Sequence, residues 1–320
     1  MALDVDGARA ALARLAEPLR MSVEEVAWGI HQVVNENMAN AARAHLGERG
    51  MDPRRLPLFA FGGAGPVHGY RVAEILRLPR LIAPFGAGVG STFGLLVAPL
   101  AFDFVRSAYS RLDDVDWDVA NGLLDEMAEE GREVLKASGL SADAITFRRT
   151  ADLRYVGQGH EVSVPLPVGR LLEGSLPEIV RAFDERYQTL YGRKGPEVPL
   201  EVINWRLVAS GPKPTLAPKL GGAPRSAGGP GGPSAPWTPK ARGRRVAYFP
   251  EFSGFVEAPV YDRYALGPGA TFDGPAIVEE RESTLVIGQR GQARVDDHLN
   301  VIVEFSPVDD AMRATGARSD

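Results

Sequence analysis

The chain contains no cysteine among its 320 residues. This absence excludes disulfides, thiolate metal sites, iron–sulfur clusters and a cysteine nucleophile, so any chemistry must use oxygen and nitrogen groups. The sequence also lacks a run of roughly 20 apolar residues, which a bilayer-spanning helix needs, and it begins without the continuous apolar core of a signal peptide. These absences predict a cytoplasmic protein with no membrane partner.

The sequence also lacks a strong excess of either positive or negative charge. The chain has 36 basic and 41 acidic residues, which gives a formal net charge of −5. That balance offers no general attraction to nucleic acid, so no nucleic-acid partner is expected and any anionic ligand must be held locally. Hydrophobic residues make up 44% of the sequence, enough for the cores of two or three domains.

A short apolar run leads directly into a glycine-rich turn at residues 58–70, which read LFAFGGAGPVHGY. The pattern predicts a strand over Leu58–Phe61 and a helix over Val67–Leu76. Glycines let a backbone approach a ligand closely, and the start of a helix directs free N–H groups and the positive end of its dipole at that ligand. The turn therefore either binds a nucleotide phosphate or ribose, or only reverses the chain.

A second glycine-rich loop, over Gly86–Gly94, follows a predicted strand at Leu81–Ala83. Strand, helix and strand in this order indicate an α/β layer, in which ligands bind at the carboxyl ends of parallel strands. The second loop lacks the Gly-Lys-Ser/Thr ending that places a lysine on phosphate. The sequence therefore argues against a Walker-type NTPase.

Periodicity and caps predict the other elements. Ser22 and Glu25 form a capping-box pattern at the start of a helix over Val23–Leu46. Other helices are predicted over 8–19, 117–138 and 177–191, and strands over 146–155, 161–166, 198–209, 245–249, 256–261, 276–279, 284–287, 293–295 and 301–305. The predicted domains are an α/β lobe over 1–110, an α+β domain over 111–210, a Pro/Gly-rich linker over 211–244, a small all-β unit over 245–306 and a flexible tail over 307–320.

Several polar residues have simple structural interpretations. Three asparagines of the second helix are interpreted as a solvated stripe rather than the lining of a site: Asn35, Asn37 and Asn40. Three glutamates near one strand end are interpreted as solvated edge charges, because neighbours on a strand point to opposite faces: Glu279, Glu280 and Glu282. No metal site is predicted, because four histidines lack the spacing of metal ligands: His31, His45, His160 and His298.

Seven stretches carry a family resemblance. They read VVNENMANAARAHLGERGMDPR, FAFGGAGPVHGYRVAEIL, APFGAGVGSTFGLLVAPLAFDFVRS, ADLRYVGQGHEVSVPLP, FDERYQTLYG, EVINWRLVASG and FDGPAIVEERESTLVIGQRGQARVDDHLNVIVE. Their order and spacing resemble the carboxyl-terminal half of the large subunit in the hydantoinase A, 5-oxoprolinase and acetone carboxylase β-subunit family. The resemblance covers nearly the whole chain outside the linker.

This resemblance implies a nucleotide-binding lobe similar to those of the actin, Hsp70 and sugar-kinase ATPases, followed by an α+β segment and the all-β unit. It implies ATP and Mg²⁺ as cofactors. The residues it places on the nucleotide are Gly62, Gly63, Ala64, Gly65, Pro66 and His68. His68 is either a nucleotide contact or a structural histidine.

The implied function is ATP-dependent ring opening of a cyclic amide such as a hydantoin or 5-oxoproline, through phosphorylation of the amide. The alternatives are part of an ATP-dependent ketone carboxylase and a non-catalytic scaffold subunit. Family members begin with a lobe that carries an Asp-Val-Gly-Gly-Thr type phosphate loop, which this sequence lacks. The expected partners are therefore the amino-terminal half of the large subunit, a hydantoinase B-type subunit and the small cyclic amide, and catalytic residues are not assigned.

A predicted glycine hairpin carries a second polar group that could contact substrate or a partner subunit. Its members are Arg154, Tyr155, Gln158 and His160. The simpler interpretation is that the glycines of this segment only permit the turn.

Overall fold

The computed structural model describes residues 3–193, 195, 198–215 and 235–306. Residues 216–234 of the predicted linker and the predicted tail at 307–320 lie outside this description. The chain divides into a first unit, made of residues 1–92 and 219–320, and a second unit, made of residues 93–218.

The described residues contain six α-helices and thirteen strands. The helices are α1 (Val5–Leu19), α2 (Val23–Glu48), α3 (Gly65–Leu76), α4 (Gly90–Val97), α5 (Trp117–Ala137) and α6 (Leu176–Tyr191). The strands are β1 (Leu58–Phe59), β2 (Arg80–Ala83), β3 (Ala101–Arg111), β4 (Thr146–Tyr155), β5 (Val162–Pro165), β6 (Leu200–Ser210), β7 (Gly243–Phe249), β8 (Gly254–Asp262), β9 (Thr271–Asp273), β10 (Ala276–Glu279), β11 (Thr284–Ile287), β12 (Gly291–Val295) and β13 (Val301–Phe305). Within the described ranges, every helix is too short or too polar to cross a bilayer.

The predicted capping box starts α2. The Glu25 N–H donates to Ser22 Oγ at 3.1 Å, and the Ser22 N–H donates to the Glu25 carboxylate at 2.7 Å. Each bond satisfies a backbone N–H that a helix start would otherwise leave without a partner. This part of the prediction is confirmed.

Two sheets form the first unit. The larger has the strand order β1-β2-β13-β12-β9, and the smaller has the order β11-β10-β8-β7. Strands β1 and β2 are parallel, with Phe59 opposite Ile82, whereas β13 runs antiparallel to β2, with Val303 opposite Leu81. Leu81 and Val303 are fully buried in the core that α3 covers.

The pairing of β2 with β13 differs from the predicted organisation. The sequence predicted a separate all-β unit over 245–306, but the last of its strands completes the sheet that begins with β1 and β2. The physical reason is that β2 is a buried strand whose second edge needs a hydrogen-bonding partner, and β13 supplies it. The structure also adds β9, which the sequence analysis did not predict.

The second unit is an antiparallel sheet with the order β3-β6-β4-β5. The predicted hairpin of β4 and β5 forms, with Ala151 opposite Val164. One face of the sheet shares a core with α5 and α6, in which Phe183 and Trp205 are buried. The chain therefore contains the α+β arrangement that the sequence predicted around residues 146–209.

The helix α5 packs closely on the second unit's sheet at Gly131. A Cβ built there would lie 2.6 Å from the Ala209 Cβ and 3.0 Å from Phe104 Cε2, whereas a Cβ at Gly122 of the same helix would meet nothing within 4 Å. We expect Gly131→Ala to lower the free energy of unfolding by about 1–3 kcal/mol, because the added methyl overpacks the interface.

Gly122→Ala is the matched control. It should raise the free energy of unfolding by up to about 1 kcal/mol, because alanine favours a helix over glycine. Urea unfolding monitored by circular dichroism measures both variants. Equal effects of the two substitutions would show that α5 does not pack on the sheet at Gly131.

Candidate functional site

Both glycine-rich turns of the first unit follow the parallel strands β1 and β2, as predicted. The Gly62 N–H donates to the Ala87 carbonyl at 2.7 Å, which joins the two turns directly. Gly62 has φ +88° and Gly86 has φ +70°, backbone conformations that favour glycine. The two turns therefore lie together at one edge of the sheet.

A third loop, over residues 280–283, completes this edge. The Gly86 N–H donates to Glu280 Oε1 at 2.7 Å, and the Ser283 hydroxyl donates to Glu280 Oε2 at 2.9 Å. We call residues 62–66, 86–90 and 280–283 the three-loop cluster. The interpretation of Glu280 as a solvated edge charge is wrong, because a backbone N–H and a hydroxyl hold its carboxylate in place.

The three-loop cluster is so compact that one position accepts only glycine. A Cβ built at Gly88 would lie 2.4 Å from the Glu282 carbonyl oxygen, closer than real Cβ atoms approach. At Gly63 the same oxygen is 3.5 Å from a built Cβ, an ordinary contact. A side chain at Gly63 is therefore compatible with the protein's own packing. It would, however, occupy the space next to the backbone of the turn, where a ligand would bind.

The helix α3 begins inside the cluster, and the backbone that leads into it is accessible. Ala64 is its N-cap, Pro66 lies in the first turn, and no side chain hydrogen-bonds to the helix start. Gly63 and Ala64 are exposed. Main-chain N–H groups at such a helix start, together with the helix dipole, form a site for the oxygens of an anionic ligand.

His68 lies in the first turns of α3 and contacts α2. Its Nδ1 is 2.8 Å from Asn35 Oδ1, and its ring stacks on His31 with 4.8 Å between ring centroids. Asn35 is 1% exposed, so its interpretation as part of a solvated stripe is wrong, whereas Asn37 and Asn40 are exposed. This face of α2 could have been found from the sequence. Its residues Trp28, His31 and Asn35 recur at helical spacing.

The hairpin residues in the second unit separate onto two faces of the sheet. Arg154 Nε donates to the Glu201 carboxylate at 2.6 Å, and the Tyr109 hydroxyl donates to the same carboxylate at 2.8 Å. Tyr155 is buried against Phe183 in the core instead. Successive residues of a strand point to opposite faces, which explains the separation.

The other two hairpin residues lie in the turn itself. Gln158 Oε1 accepts the Tyr155 N–H at 3.4 Å, and His160 is exposed. The four predicted residues therefore do not form one cluster in the structure. Their role in substrate or partner binding stays a prediction.

The other two glutamates interpreted as edge charges lie next to the three-loop cluster or within it. Glu279 forms an ion pair with Arg245, so it differs from the predicted solvated charge, while Glu282 is exposed. Across the described ranges, no three His, Asp or Glu side chains lie close enough to hold a metal ion. The Mg²⁺ that the family resemblance implies stays a prediction.

Comparison with known proteins identifies the family. The sequence model of the hydantoinase/oxoprolinase family matches residues 1–104, and that of its C-terminal domain matches residues 116–304. The chain therefore belongs to the hydantoinase/oxoprolinase family, as the sequence motifs predicted.

Individual relatives agree with this assignment. The chain is 34% identical to an uncharacterized protein of Methanocaldococcus jannaschii over 92% of this chain and 40% of the relative. It is 30% identical to caprolactamase subunit alpha of Pseudomonas jessenii over 86% of this chain and 38% of the relative. It is 26% identical to the acetone carboxylase beta subunit of Xanthobacter autotrophicus over 89% of this chain and 40% of the relative.

A solved structure shares the fold. The crystal structure of the ATP-dependent caprolactamase from Pseudomonas jessenii superposes with a TM-score of 0.62 at 28% identity, over 94% of this chain and 42% of that one. The chain thus spans about 40% of the length of the three relatives named above. Both sheets of the first unit combine parallel and antiparallel strand pairs, whereas the sheet of the second unit is antiparallel.

The stacked histidines predict a pH-dependent stability. Burial, helped by His68 and Arg71, holds the pKa of His31 below its ordinary value of 6.5. The unfolded chain then binds more protons than the native one as the pH falls through that value, so acidification destabilises the fold. We expect His31→Gln to reduce the drop in Tm between about pH 7.5 and about pH 5.5, because it removes this linked protonation.

Differential scanning fluorimetry at the two pH values measures the effect. His298 is exposed, so His298→Gln should show the same drop in Tm as the unmodified protein. An undiminished drop in His31→Gln would contradict the role of this histidine.

Proposed function

We propose that this chain forms the carboxyl-terminal part of the ATP-binding large subunit of a hydantoinase/oxoprolinase-family enzyme that opens a cyclic amide. The three-loop cluster carries the proposal. The exposed backbone of Gly63 and Ala64, at a helix start that no side chain caps, offers N–H groups to the phosphate or ribose of ATP. Gly62, Gly63, Ala64, Gly65 and Pro66 are the proposed contacts.

The proposed fold is the nucleotide-binding lobe of an actin-like ATPase. The parallel pair β1 and β2, each followed by a glycine turn, supports it, as does the 28% identity to an ATP-dependent caprolactamase. His68 is a positioning residue in this proposal. Its hydrogen bond to the buried Asn35 fixes the beginning of α3 against α2.

The proposed reaction uses ATP to overcome the resonance stability of an amide. Transfer of the terminal phosphoryl group to the amide oxygen releases ADP and makes the carbonyl carbon more electrophilic. Water adds to that carbon, the C–N bond breaks to open the ring and free the amine, and a second water hydrolyses the resulting acyl phosphate to a carboxylate and phosphate. Positioning and electrostatic stabilisation of phosphate dominate such a reaction, so no protein nucleophile is needed. ATP and Mg²⁺ are the proposed cofactors, and the described part of this chain offers backbone N–H groups for the first and no ligand cluster for the second.

A lactam is the favoured type of cyclic amide, because the chain is 30% identical to caprolactamase subunit alpha. Carboxylation of a ketone is the second candidate, supported by 26% identity to the acetone carboxylase beta subunit. Both relatives are named as subunits. Proposed partners are therefore the amino-terminal half of the large subunit and a hydantoinase B-type subunit.

Gly63→Val tests the nucleotide site. The valine side chain would occupy the space above the turn where the backbone must meet the nucleotide. We expect it to weaken binding of a non-hydrolysable ATP analogue at least about tenfold, or about 1.4 kcal/mol. Isothermal titration calorimetry on the chain, alone and mixed with a separately expressed amino-terminal half, measures this affinity.

Gly47→Val is the matched control, because a Cβ at Gly47 in α2 meets nothing within 4 Å. It should leave the affinity for the analogue unchanged. Unchanged affinity in a folded Gly63→Val variant would remove the turn from the nucleotide site.

The reaction itself is tested with the assembled subunits. We expect ATP turnover to depend on a cyclic amide when the chain is mixed with an amino-terminal half and a B-type subunit. Substrates to compare are caprolactam, 5-oxoproline, a hydantoin and acetone. Turnover with acetone alone would favour the carboxylase, whereas a stable complex that does not bind ATP would favour a scaffold role.

A further inference from the structure

A cavity of about 460 Å³ lies in the first unit between α1, α2, α3 and the β7–β8 hairpin. Its walls are mainly apolar, and aromatic rings are prominent among them: Trp28, Tyr248, Phe249 and Phe255. The volume falls within the range of small-molecule sites, which are typically apolar with a few polar groups. The proposed nucleotide contacts at 62–66 do not line it.

The charged side chains in the wall already have partners. Arg9 pairs with Glu24 at 2.9 Å, and both residues line the cavity. Arg71 donates two hydrogen bonds of 2.8 Å to the carboxylate of Glu251 and a third to Glu74. A charged ligand would therefore have to compete with these internal pairs, which favours a neutral ligand.

His31 and Tyr248 are polar residues of the wall whose side chains form no hydrogen bond within the described residues, and His31 is the one that adjoins α3. Its ring packs between Trp28 and His68, and it makes no hydrogen bond to any other residue in the described ranges. Burial lowers the pKa of this imidazole, which favours its neutral form. A neutral imidazole has one N–H, which is suited to a single carbonyl oxygen.

The cavity adjoins the start of α3. Val67 lines the cavity and directly follows Pro66 of the glycine turn. His31 of the wall stacks on His68, the next residue of α3. A ring held in the cavity would thus lie beside the helix whose first turn forms the proposed nucleotide site.

We propose that this cavity binds the apolar ring of the substrate, and that it selects neutral lactams or aryl ketones over ring substrates that carry a carboxylate. His31 donates to the substrate carbonyl, and the aromatic wall holds the hydrocarbon ring. This assignment rests on the proposed function and adds the substrate class to it. 5-Oxoproline, a cyclic amide with a carboxylate, is excluded because the wall offers no unpaired cation.

Ligand-observed NMR titrations on the full chain test the proposal with caprolactam, acetophenone and 5-oxoproline. We expect caprolactam and acetophenone to bind at least about tenfold more tightly than 5-oxoproline. Ala247→Trp fills the cavity from β7 and should weaken caprolactam binding at least about tenfold. Val246→Trp is the matched control, because Val246 is the adjacent residue, is 61% exposed and is not part of the wall.

A second variant tests the hydrogen bond from His31 to the substrate with little change in the shape of the cavity. His31→Phe keeps an aromatic ring between Trp28 and His68 but removes the N–H, so caprolactam should bind at least about fivefold more weakly. The Tm of each variant shows whether it folds. Rescue of binding by His31→Gln, whose amide can donate, would support the hydrogen bond.

Several results would overturn the proposal. These are equal or tighter binding of 5-oxoproline, no binding of caprolactam to the folded chain, and caprolactam binding that Ala247→Trp leaves unchanged. A change of oligomeric state in Ala247→Trp without loss of caprolactam binding would instead make the cavity an interface between copies. ATP-analogue binding should survive Ala247→Trp and fail in Gly63→Val, so failure of the cavity and failure of the nucleotide site are separable.

Discussion

The hydrogen bond from the Gly86 N–H to the Glu280 carboxylate joins residues that are 194 positions apart in the sequence. It is charge-assisted and partly buried, the kind of hydrogen bond that contributes most to stability. It places the 280–283 loop where the Glu282 carbonyl fits against Gly88. The conformation of the glycine turns therefore depends on a hairpin near the other end of the chain.

This dependence explains what the sequence could and could not predict. Local signals were sufficient for α2, whose Ser22 and Glu25 cap it as expected, and for the hairpin of β4 and β5. The pairing of β2 with β13 is not encoded locally. Both are short apolar strands, and nothing in either one specifies which of several similar strands will be its neighbour.

Two side chains were wrongly predicted to be solvated, because their partners are distant in the sequence. Glu280 has the sequence context of an edge charge, and only the approach of Gly86 gives its carboxylate a backbone donor. Asn35 has the composition of a solvated helix position, and only the approach of His68 makes it a buried partner. Tyr155 is different, because strand alternation alone predicts that Arg154 and Tyr155 face opposite sides.

The helix α3 links the proposed nucleotide site to the cavity because its position is fixed on two sides. Towards the sheet, Gly69 allows contact so close that a Cβ would lie 3.0 Å from Ala60 and 3.1 Å from Leu81. Away from the sheet, Arg71 is held by Glu251, which also accepts the Gln289 N–H at 3.3 Å.

A helix constrained in this way cannot shift its start at the glycine turn without also moving the residues that follow. Gly65 begins the helix at the glycine turn, Val67 lines the cavity, and His68 is anchored on α2. The spacing between a nucleotide at the turn and a ring in the cavity is then set by covalent geometry and one rigid helix. Transfer of a phosphoryl group requires such fixed spacing, because the reacting atoms must be held within contact distance and in line.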